Sequence, residues 1–410
     1  MRGRPLLYTS YEDDQAILPT TTRKVGMALL LLVAITLPLQ IVPGLRWLGG
    51  NLWLTLLGEA LIFLIGALGL NILTGLAGQV SLGHAFFMGV GAYTAVWLGA
   101  PGTETLRGLG LPIWIWLPAA GVVAAVIGLL VSPAAVRVRG LYLAFVTIAL
   151  VFIGDHIFRN AASISGGPGL GREWPNLEFR LWKEESPLID FDAAGPWFGI
   201  DLTRQAKQYL FVLGLAVLFG LAHKNIARTR LGRAFASIRD RDIAAEVMGV
   251  DEYRYKALAF AVSSFFAGVS GALLASYFGT RIPEFWDLLL SIEFIAIILI
   301  GGAGTTAGVV LGSLFVILVP RLVEDGTAWL SDLTEQEGLG ASIANFFVST
   351  GPSDFGLVGT SAIGPGLSVF QLNIVLYGLL IILFLIFEPL GLYGIWLRIR
   401  NYWKGWPFTY

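Results

Sequence analysis

The sequence predicts an all-α polytopic membrane protein with about ten transmembrane helices, some short or broken, and with extended outer loops. Hydrophobic residues make up 56% of the 410 residues, and charged residues make up only 13%. Soluble domains contain about 25% charged residues, so this composition indicates a chain that folds in lipid. Apolar runs long enough to cross a bilayer as helices recur along the whole chain.

Each predicted span is a mostly apolar run, close to the 20 or so residues that a helix needs to cross the hydrocarbon core. The ten runs are 25–43, 53–73, 79–99, 112–131, 141–158, 207–222, 257–279, 288–301, 303–320 and 371–388. The short eighth and ninth runs meet at Gly301-Gly302-Ala303-Gly304, which fits either a tight hairpin or a broken helix. Residues 75–99 are interrupted by glycine and form a candidate re-entrant segment, so eight or eleven spans remain alternatives.

The distribution of lysine and arginine predicts the orientation of these spans. Basic residues are concentrated in the N-terminal lead 1–24, the connection 132–140, the segment 223–256 and the C-terminal tail. Ten spans place all of these on one side, which the positive-inside rule identifies as the cytoplasm. We therefore predict that both termini are cytoplasmic and that 25–410 forms a single transmembrane domain.

The two longest connections, 159–206 and 321–370, fall on the opposite side of this arrangement. Residues 321–370 contain one basic residue and six acidic residues, as an outer loop should. Both connections exceed ordinary loop lengths, so short helices are expected within them. The net charge of −1 gives no indication of a nucleic-acid partner.

The stretches Gly75–Gly83 and Gly301–Gly308 are both glycine-rich breaks within apolar sequence. Corresponding interruptions in two halves of a transporter often mark the transport pathway. Chance similarity is an equal alternative in a chain with 51 glycines.

The segment from His223 to Lys256 carries eight basic and five acidic residues between two apolar spans. Its apolar residues are spaced for one amphipathic helix or two short ones, and Gly249 suits a helix end. One interpretation is a solvated loop whose charges bind anionic lipid headgroups of the membrane. The other is a helix that docks in a cleft of a cytoplasmic partner, with an apolar stripe as the contact area. That stripe comprises Ala234, Ile238, Ala245, Val247 and Met248.

Ionisable residues at membrane depth are costly, and five occur here: Glu59, His84, Asp155, His156 and Glu293. A helix break near His84 would free backbone groups for a zwitterionic ligand, whose charges neighbouring helix termini would complement. The candidate substrate-pathway residues are Asn71, Thr74, Gln79, Ser81, His84, Tyr93 and Glu293. The alternative is that these side chains hydrogen-bond across helices and hold the packing together.

Several blocks of this sequence resemble a known family of transport proteins. The core Ala244-Ala245-x-x-x-Gly249 resembles the coupling-helix signature of ATP-binding-cassette importer permeases. The wider run 231–250 is similar to the M-type subunit of the branched-chain amino acid permease family. Further similar blocks are 71–93, 140–147, and Ser291 to Phe294 followed by Gly301 to Gly304.

These blocks cover the chain from about residue 60 to 320, together with the last span. Two features depart from the family pattern. Ile243 stands where the general importer signature has glutamate, and the outer loops at 172–206 and 324–370 are longer than usual.

The resemblance implies a heteromeric importer in the inner membrane of a bacterium, carrying branched-chain or related hydrophobic amino acids. Its partners would be a second related permease, two cytoplasmic ATPases that bind ATP and Mg, and an extracytoplasmic substrate-binding protein. Urea or short amides are alternative substrates, because close relatives of the family carry them. The ATPase-coupling residues implied by the resemblance are Arg233, Arg239, Arg241, Ala244, Ala245, Glu246 and Gly249.

The residues themselves argue for a transport subunit rather than an enzyme. No G-x-x-x-x-G-K-[ST] phosphate loop occurs, so a motor that hydrolyses ATP would have to be a separate subunit. The chain has no cysteine, its three histidines are isolated, and no nucleophile–base pair is recognisable, so neither a cofactor nor a metal is predicted. An ATP-independent secondary transporter remains the alternative, although the few membrane-embedded ionisable residues supply little for ion coupling.

Overall fold

The computed structural model describes residues 21–41, 43–138, 140–169, 171–182, 187–197, 199–334, 348–349, 358–359, 367–388 and 390–405. Most of the predicted lead 1–24 and much of the predicted outer loop 321–370 lie outside these residues.

Within this part of the chain the protein is built almost entirely from α-helices. In chain order they are α1 (Thr21–Thr36), α2 (Asn51–Leu70), α3 (His84–Gly99), α4 (Ile113–Arg137), α5 (Leu141–Asn160), α6 (Ala162–Ser165), α7 (Arg204–Arg228), α8 (Arg230–Val247), α9 (Glu252–Phe278), α10 (Leu288–Gly301), α11 (Thr306–Thr334), α12 (Val369–Phe387) and α13 (Gly391–Gly405). A π-helical turn, Asn71–Leu76, extends α2, and short 3-10 turns occupy Leu37–Leu39, Pro43–Gly49 and Pro283–Phe285. The prediction of an all-α membrane fold is confirmed.

A helix lies at each of the ten predicted spans. Among the described residues, six helical stretches are long and apolar enough to cross a membrane, judged by length and composition alone. They are Asn51–Leu76, Ile113–Ala134, Tyr142–Asn160, Arg204–Arg228, Glu252–Phe278 and Thr306–Trp329. Helices α3 and α10 are shorter, as predicted for broken spans. Helix α11 continues 14 residues beyond the predicted end at Pro320, where Arg321 forms ion pairs with Glu324 and Asp325 one turn later.

Helix α9 is the centre of the core and packs against α2, α3 and α4. Glycines allow this packing. A Cβ atom at Gly91 of α3 would lie 2.2 Å from the Gly268 carbonyl oxygen, and one at Gly271 would lie 2.1 Å from that of Met88. Helices α3 and α9 therefore cross in backbone contact, the arrangement that small residues permit where lipid gives helices no hydrophobic reason to associate.

The predicted outer loop 159–206 contains mainly short strand pairs, and the one-turn helix α6 is its only helix among the described residues. The strands are β1 (Arg172–Glu173), β2 (Glu178–Phe179), β3 (Ile189–Asp190), β4 (Gly195–Trp197) and β5 (Ile200–Leu202), followed later by β6 (Thr280–Arg281), β7 (Val348–Ser349), β8 (Val358–Gly359) and β9 (Leu367–Ser368). Strands β1 and β6 pair antiparallel, as do β2 with β3 and β4 with β5, whereas β7, β8 and β9 pair in parallel.

Arg172 joins this loop to its neighbours. Its guanidinium donates to the carbonyl oxygens of Arg107 at 2.8 Å, Ile164 at 3.2 Å and Pro101 at 3.3 Å. Burial lowers the pKa of Arg172, and these three carbonyl acceptors offset part of the cost of burying its charge. Short helices were expected in this loop, and its described residues contain only the one-turn helix α6, because strand pairing satisfies backbone groups there instead.

Candidate functional site

The two glycine-rich breaks lie in contact with each other. The first follows the π-helical turn of α2, where residues 77–83 leave the helix before α3 begins; the second separates α10 from α11. A Cβ atom at Gly75 would lie 2.5 Å from the Gly304 backbone nitrogen. Gly78 and Gly304 have φ angles of +69° and +80°, which favour glycine. The sequence left open whether the breaks are related, and their contact shows that they form one structural unit.

A buried hydrogen-bond network joins these breaks to α7. The Asn71 side-chain oxygen accepts from the Gly304 backbone N–H at 2.7 Å, and its amide nitrogen lies 3.1 Å from His223 Nε2. His223 Nδ1 lies 3.0 Å from the Thr306 hydroxyl oxygen. Since the Asn71 amide donates, Nε2 is the acceptor of a neutral imidazole and Nδ1–H donates to Thr306. Asn71 and His223 are both fully buried, so the network fixes the two breaks relative to the end of α7.

Arg239 connects the charged segment to the first break. Its guanidinium nitrogen Nη1 donates to the Gly75 carbonyl oxygen at 2.8 Å, and its aliphatic stem packs against Gly78. This carbonyl belongs to the helix break, where main-chain acceptors lose their helical partners. The sequence predicted Arg239 as an ATPase-coupling residue, and the structure places its guanidinium against the membrane-embedded break.

Helix α8 consists of two helical pieces separated at Arg241, whose φ of −157° and ψ of 98° are extended. The sequence allowed two short helices, and the structure has them. The second piece ends as predicted at Gly249, where the φ is +87°. The Val250 N–H donates to the Ala245 carbonyl oxygen at 3.0 Å, and the Gly249 N–H donates to the Glu246 carbonyl oxygen at 2.9 Å. This pair of bonds is a Schellman cap. Asp251 then caps the start of α9, so the second piece forms the tip of a compact hairpin.

The predicted apolar stripe of this segment is divided between two faces. Ala234, Ile238 and Ala245 are buried within the chain, whereas the exposed fractions of Val247 and Met248 are 82% and 83%. The whole stripe therefore cannot be the contact area of a docked helix, because Ala234 and Ile238 of the first piece and Ala245 of the second piece are buried within the chain. The hairpin tip consists of the exposed residues Ile243, Ala244, Glu246, Val247 and Met248. Arg233 is also exposed, and it bonds the Arg228 carbonyl oxygen at 3.2 Å.

The other predicted pathway residues do not form one cluster. The Thr74 hydroxyl donates to the Gln79 carbonyl oxygen at 3.1 Å, and Ser81 accepts from the Gly83 N–H at 3.3 Å, so both side chains stabilise the first break locally. Tyr93 lies more than two turns beyond His84, the first residue of α3, and its ring contacts the Phe158 ring at a centroid distance of 4.8 Å. Its buried hydroxyl has no hydrogen-bond partner among the described residues.

Glu293 and His84 lie near Phe294 of α10. Glu293 is partly buried and has no hydrogen-bond or ion-pair partner in the part of the chain that the structure describes. His84 is the first residue of α3, and its ring contacts the Phe294 ring at a centroid distance of 4.8 Å. His84 is 2% exposed and its Nε2 has no hydrogen-bond partner among the described residues. Over the same residues, no group of three histidine, aspartate or glutamate side chains could hold a metal ion.

Replacing His84 with alanine is expected to reduce transport more than it reduces assembly. Loss of the ring removes packing against Phe294, which should lower stability by about 1–3 kcal/mol. If Nε2 faces the substrate pathway, as the sequence predicts, its loss should lower transport about tenfold or more. His156→Ala, at an exposed position of α5, is the matched control. Normal transport with lost subunit assembly would show that His84 is a packing residue.

His223 was not predicted as a functional residue. It is the first residue of the charged segment, and the sequence offers no signal that its ring turns back to Asn71, 152 positions earlier. The sequence indicated a possible functional role only through the position of this histidine, which stands at the end of an apolar span and directly before a charged segment.

Comparison with known proteins gives consistent matches. A family model described as "Branched-chain amino acid transport system / permease component" matches residues 52–385. The chain is 31% identical over 314 residues to the "High-affinity branched-chain amino acid transport system permease protein LivM" of Escherichia coli strain K12. The alignment covers 75% of this chain and 70% of the relative, and the protein of the same name from Salmonella typhimurium strain LT2 matches with the same values.

A third relative is the "Autoinducer 2 import system permease protein LsrC" of Enterobacter sp. strain 638. It is 35% identical over 119 residues, which cover 27% of this chain and 34% of the relative. No solved structure matches.

Proposed function

This chain belongs to the branched-chain amino acid transport system permease family, and we propose that it is a permease subunit of an ATP-binding-cassette importer for branched-chain amino acids. The observation that carries the proposal is the family match over 52–385, which includes both breaks, the network between them and the hairpin tip. The names of the E. coli and Salmonella relatives favour branched-chain amino acids over the urea and short-amide alternatives.

The proposed assembly contains a second homologous permease, two cytoplasmic ATPases and an extracytoplasmic substrate-binding protein. The chain lies in the inner membrane, with both termini and α8 in the cytoplasm. It supplies no phosphate loop, so ATP and Mg bind to the ATPase subunits. The hairpin tip supports an ATPase contact, because Ile243, Val247 and Met248 expose apolar surface beside charged residues, the composition of a helix that docks in a groove.

The geometry also supports a coupling route from this contact to the membrane. The tip continues directly into the first piece of α8, which carries Arg239. Arg239 bonds Gly75 in the first break, and Asn71 bonds Gly304 in the second. A displacement of the tip by the ATPases therefore reaches both breaks through direct bonds, which is what alternating access at a broken-helix site requires.

The proposal is tested by purifying the tagged chain from the cells that produce it and reconstituting the purified material in liposomes. We expect a second permease and ATPase subunits to co-purify. Uptake of radiolabelled leucine should require ATP and Mg²⁺ on the side of α8 and the substrate-binding protein on the other side. If the chain purifies alone and transports leucine without ATP, it is a secondary transporter and the importer proposal is wrong.

A further inference from the structure

A cavity of about 230 Å³ lies between the first helix break and the kink of α8. One wall is apolar and includes Val80, Val138, Leu143 and Ile238; the other is formed by the side chains of Gln79, the charged run 239–242 and Lys256. Pockets for drug-sized ligands measure roughly 300–1,000 Å³, so this cavity suits a smaller molecule. A ligand that fills it must have both an aliphatic part and charged groups.

Gln79 is the feature of this cavity that points to a ligand. Its main chain is held on both sides, because its N–H donates to the Leu73 carbonyl at 3.0 Å and its carbonyl accepts from Thr74. Its side chain is 5% exposed, yet neither the amide nitrogen nor the amide oxygen has a hydrogen-bond partner among the described residues. Buried amides are almost always paired, so over the described residues this amide keeps its full hydrogen-bonding capacity for a ligand in the cavity.

The charged wall contains a cation that is available to a ligand. Arg239 is engaged with the Gly75 carbonyl and with Asp240, and Lys256 forms an ion pair with Glu252. Arg241 has no hydrogen-bond or ion-pair partner among the described residues, and its extended backbone interrupts α8 beside the cavity. A guanidinium of this kind binds carboxylates through paired charge-assisted hydrogen bonds. Asp240, whose side chain is 69% exposed, supplies the opposite charge on the same wall.

We propose that this cavity is an inner substrate site that binds a free branched-chain amino acid from the cytoplasm. Its carboxylate bonds Arg241 and the Gln79 amide nitrogen, and its ammonium group bonds the Gln79 oxygen and Asp240. Its aliphatic side chain packs on the apolar wall. The inference rests on the proposed function for its substrate class and goes beyond it by locating where the amino acid binds.

A ligand in this position would also affect turnover. It would contact the break through Gln79 and the kink of α8 through Arg241, and so hold these two elements in one arrangement. Amino acid that has accumulated in the cytoplasm would therefore slow further uptake by stabilising one arrangement of the coupling segment.

The test is equilibrium binding of radiolabelled leucine to the purified importer complex, without the substrate-binding protein and without nucleotide. We expect saturable binding for which valine and isoleucine compete. 4-Methylpentanoate and 3-methylbutylamine, each of which lacks one of the two charges, should compete poorly. Gln79→Leu and Arg241→Leu should each weaken binding about tenfold or more, since each removes bonds to a charged ligand. Gln371→Leu, at the exposed outer start of α12, is the matched control.

The same preparation is assayed for ATP-driven leucine uptake, so that the two ideas are judged separately. Uptake without leucine binding, or leucine binding that neither variant changes, would overturn this inference and leave the proposed function intact. Binding that both variants weaken, without ATP-driven uptake, would support the cavity and contradict the proposed function. A complex with neither activity would contradict both. Because Arg241 is exposed, its variant keeps the test valid even if Gln79→Leu fails to fold.

Discussion

Replacing Val247 and Met248 with glutamate is expected to abolish ATP-driven uptake by separating this chain from its ATPase subunits. Both side chains are more than 80% exposed, so they contribute little to the chain's own core and the variant should fold normally. In a docked complex the same side chains would be buried. Hot-spot residues at the centre of an interface cost about 2 kcal/mol or more each when truncated, and buried unpaired charges cost at least as much. We therefore expect affinity for the ATPases to fall by about 100-fold or more.

This result is measured as the amount of ATPase subunit that co-purifies with the tagged chain, together with ATP hydrolysis and leucine uptake in liposomes. The melting temperature of the permease should change little. Asn401→Glu, which adds one exposed charge on α13, is a control for nonspecific effects of charge. An unchanged yield of ATPase would contradict docking at the tip. If the affinity of the purified protein for anionic lipid headgroups falls instead, the charged segment is a lipid-binding loop, the alternative that the sequence left open.

Local features of this chain could be predicted well from its sequence. The ten helix positions follow from the lengths of the apolar runs, because a helix must satisfy its own backbone groups in lipid. The end of α8 follows from Gly249, whose positive φ is the conformation that a glycine cap adopts. The extension of α11 beyond Pro320 was missed, because proline usually ends a helix, whereas α11 continues through it to Thr334.

Contacts between distant parts of the chain were much harder to predict. The hairpin tip and the buried half of the apolar stripe have similar composition, and only packing shows that Ile238 faces inward while Met248 faces outward. Asn71 was a candidate substrate-pathway residue because it is polar at membrane depth. Its bond to Gly304 could not be predicted, because it joins positions 233 apart in the sequence. Tyr93 was grouped with the break because it is near in sequence. More than two helical turns separate it from His84 along α3, which places it elsewhere.

The second large effect is expected from Gly75→Ala, which should leave the assembly intact and reduce uptake about tenfold or more, since overpacking costs about 1–3 kcal/mol. A Cβ atom at Gly75 would lie 2.2 Å from the Asn71 side-chain oxygen and 2.5 Å from the Gly304 nitrogen. Neither group can move cheaply, because one is backbone and the other is buried and hydrogen-bonded on both sides. The added methyl group therefore separates the two breaks and breaks the bond between them.

Gly220→Ala is the matched control, because nothing lies within 4 Å of a Cβ atom at this position of α7. It should leave uptake unchanged and favour the helix by about 1 kcal/mol.

Arg239→Ala is expected to disturb the first helix break from the side of α8, since it removes the bond from α8 to the Gly75 carbonyl and leaves the hairpin tip unaltered. We expect ATP hydrolysis to continue in this variant while uptake falls.

These variants separate coupling from docking. The tip variant should lose the ATPases themselves, whereas Gly75→Ala and Arg239→Ala should retain them and lose the link between hydrolysis and transport. If Gly75→Ala transports normally, the two breaks can separate without consequence, and their contact is packing alone. If Arg239→Ala instead loses the ATPases, its guanidinium supports the tip rather than the break. Uncoupled hydrolysis in both variants would establish that force reaches the broken helices through the Gly75 carbonyl.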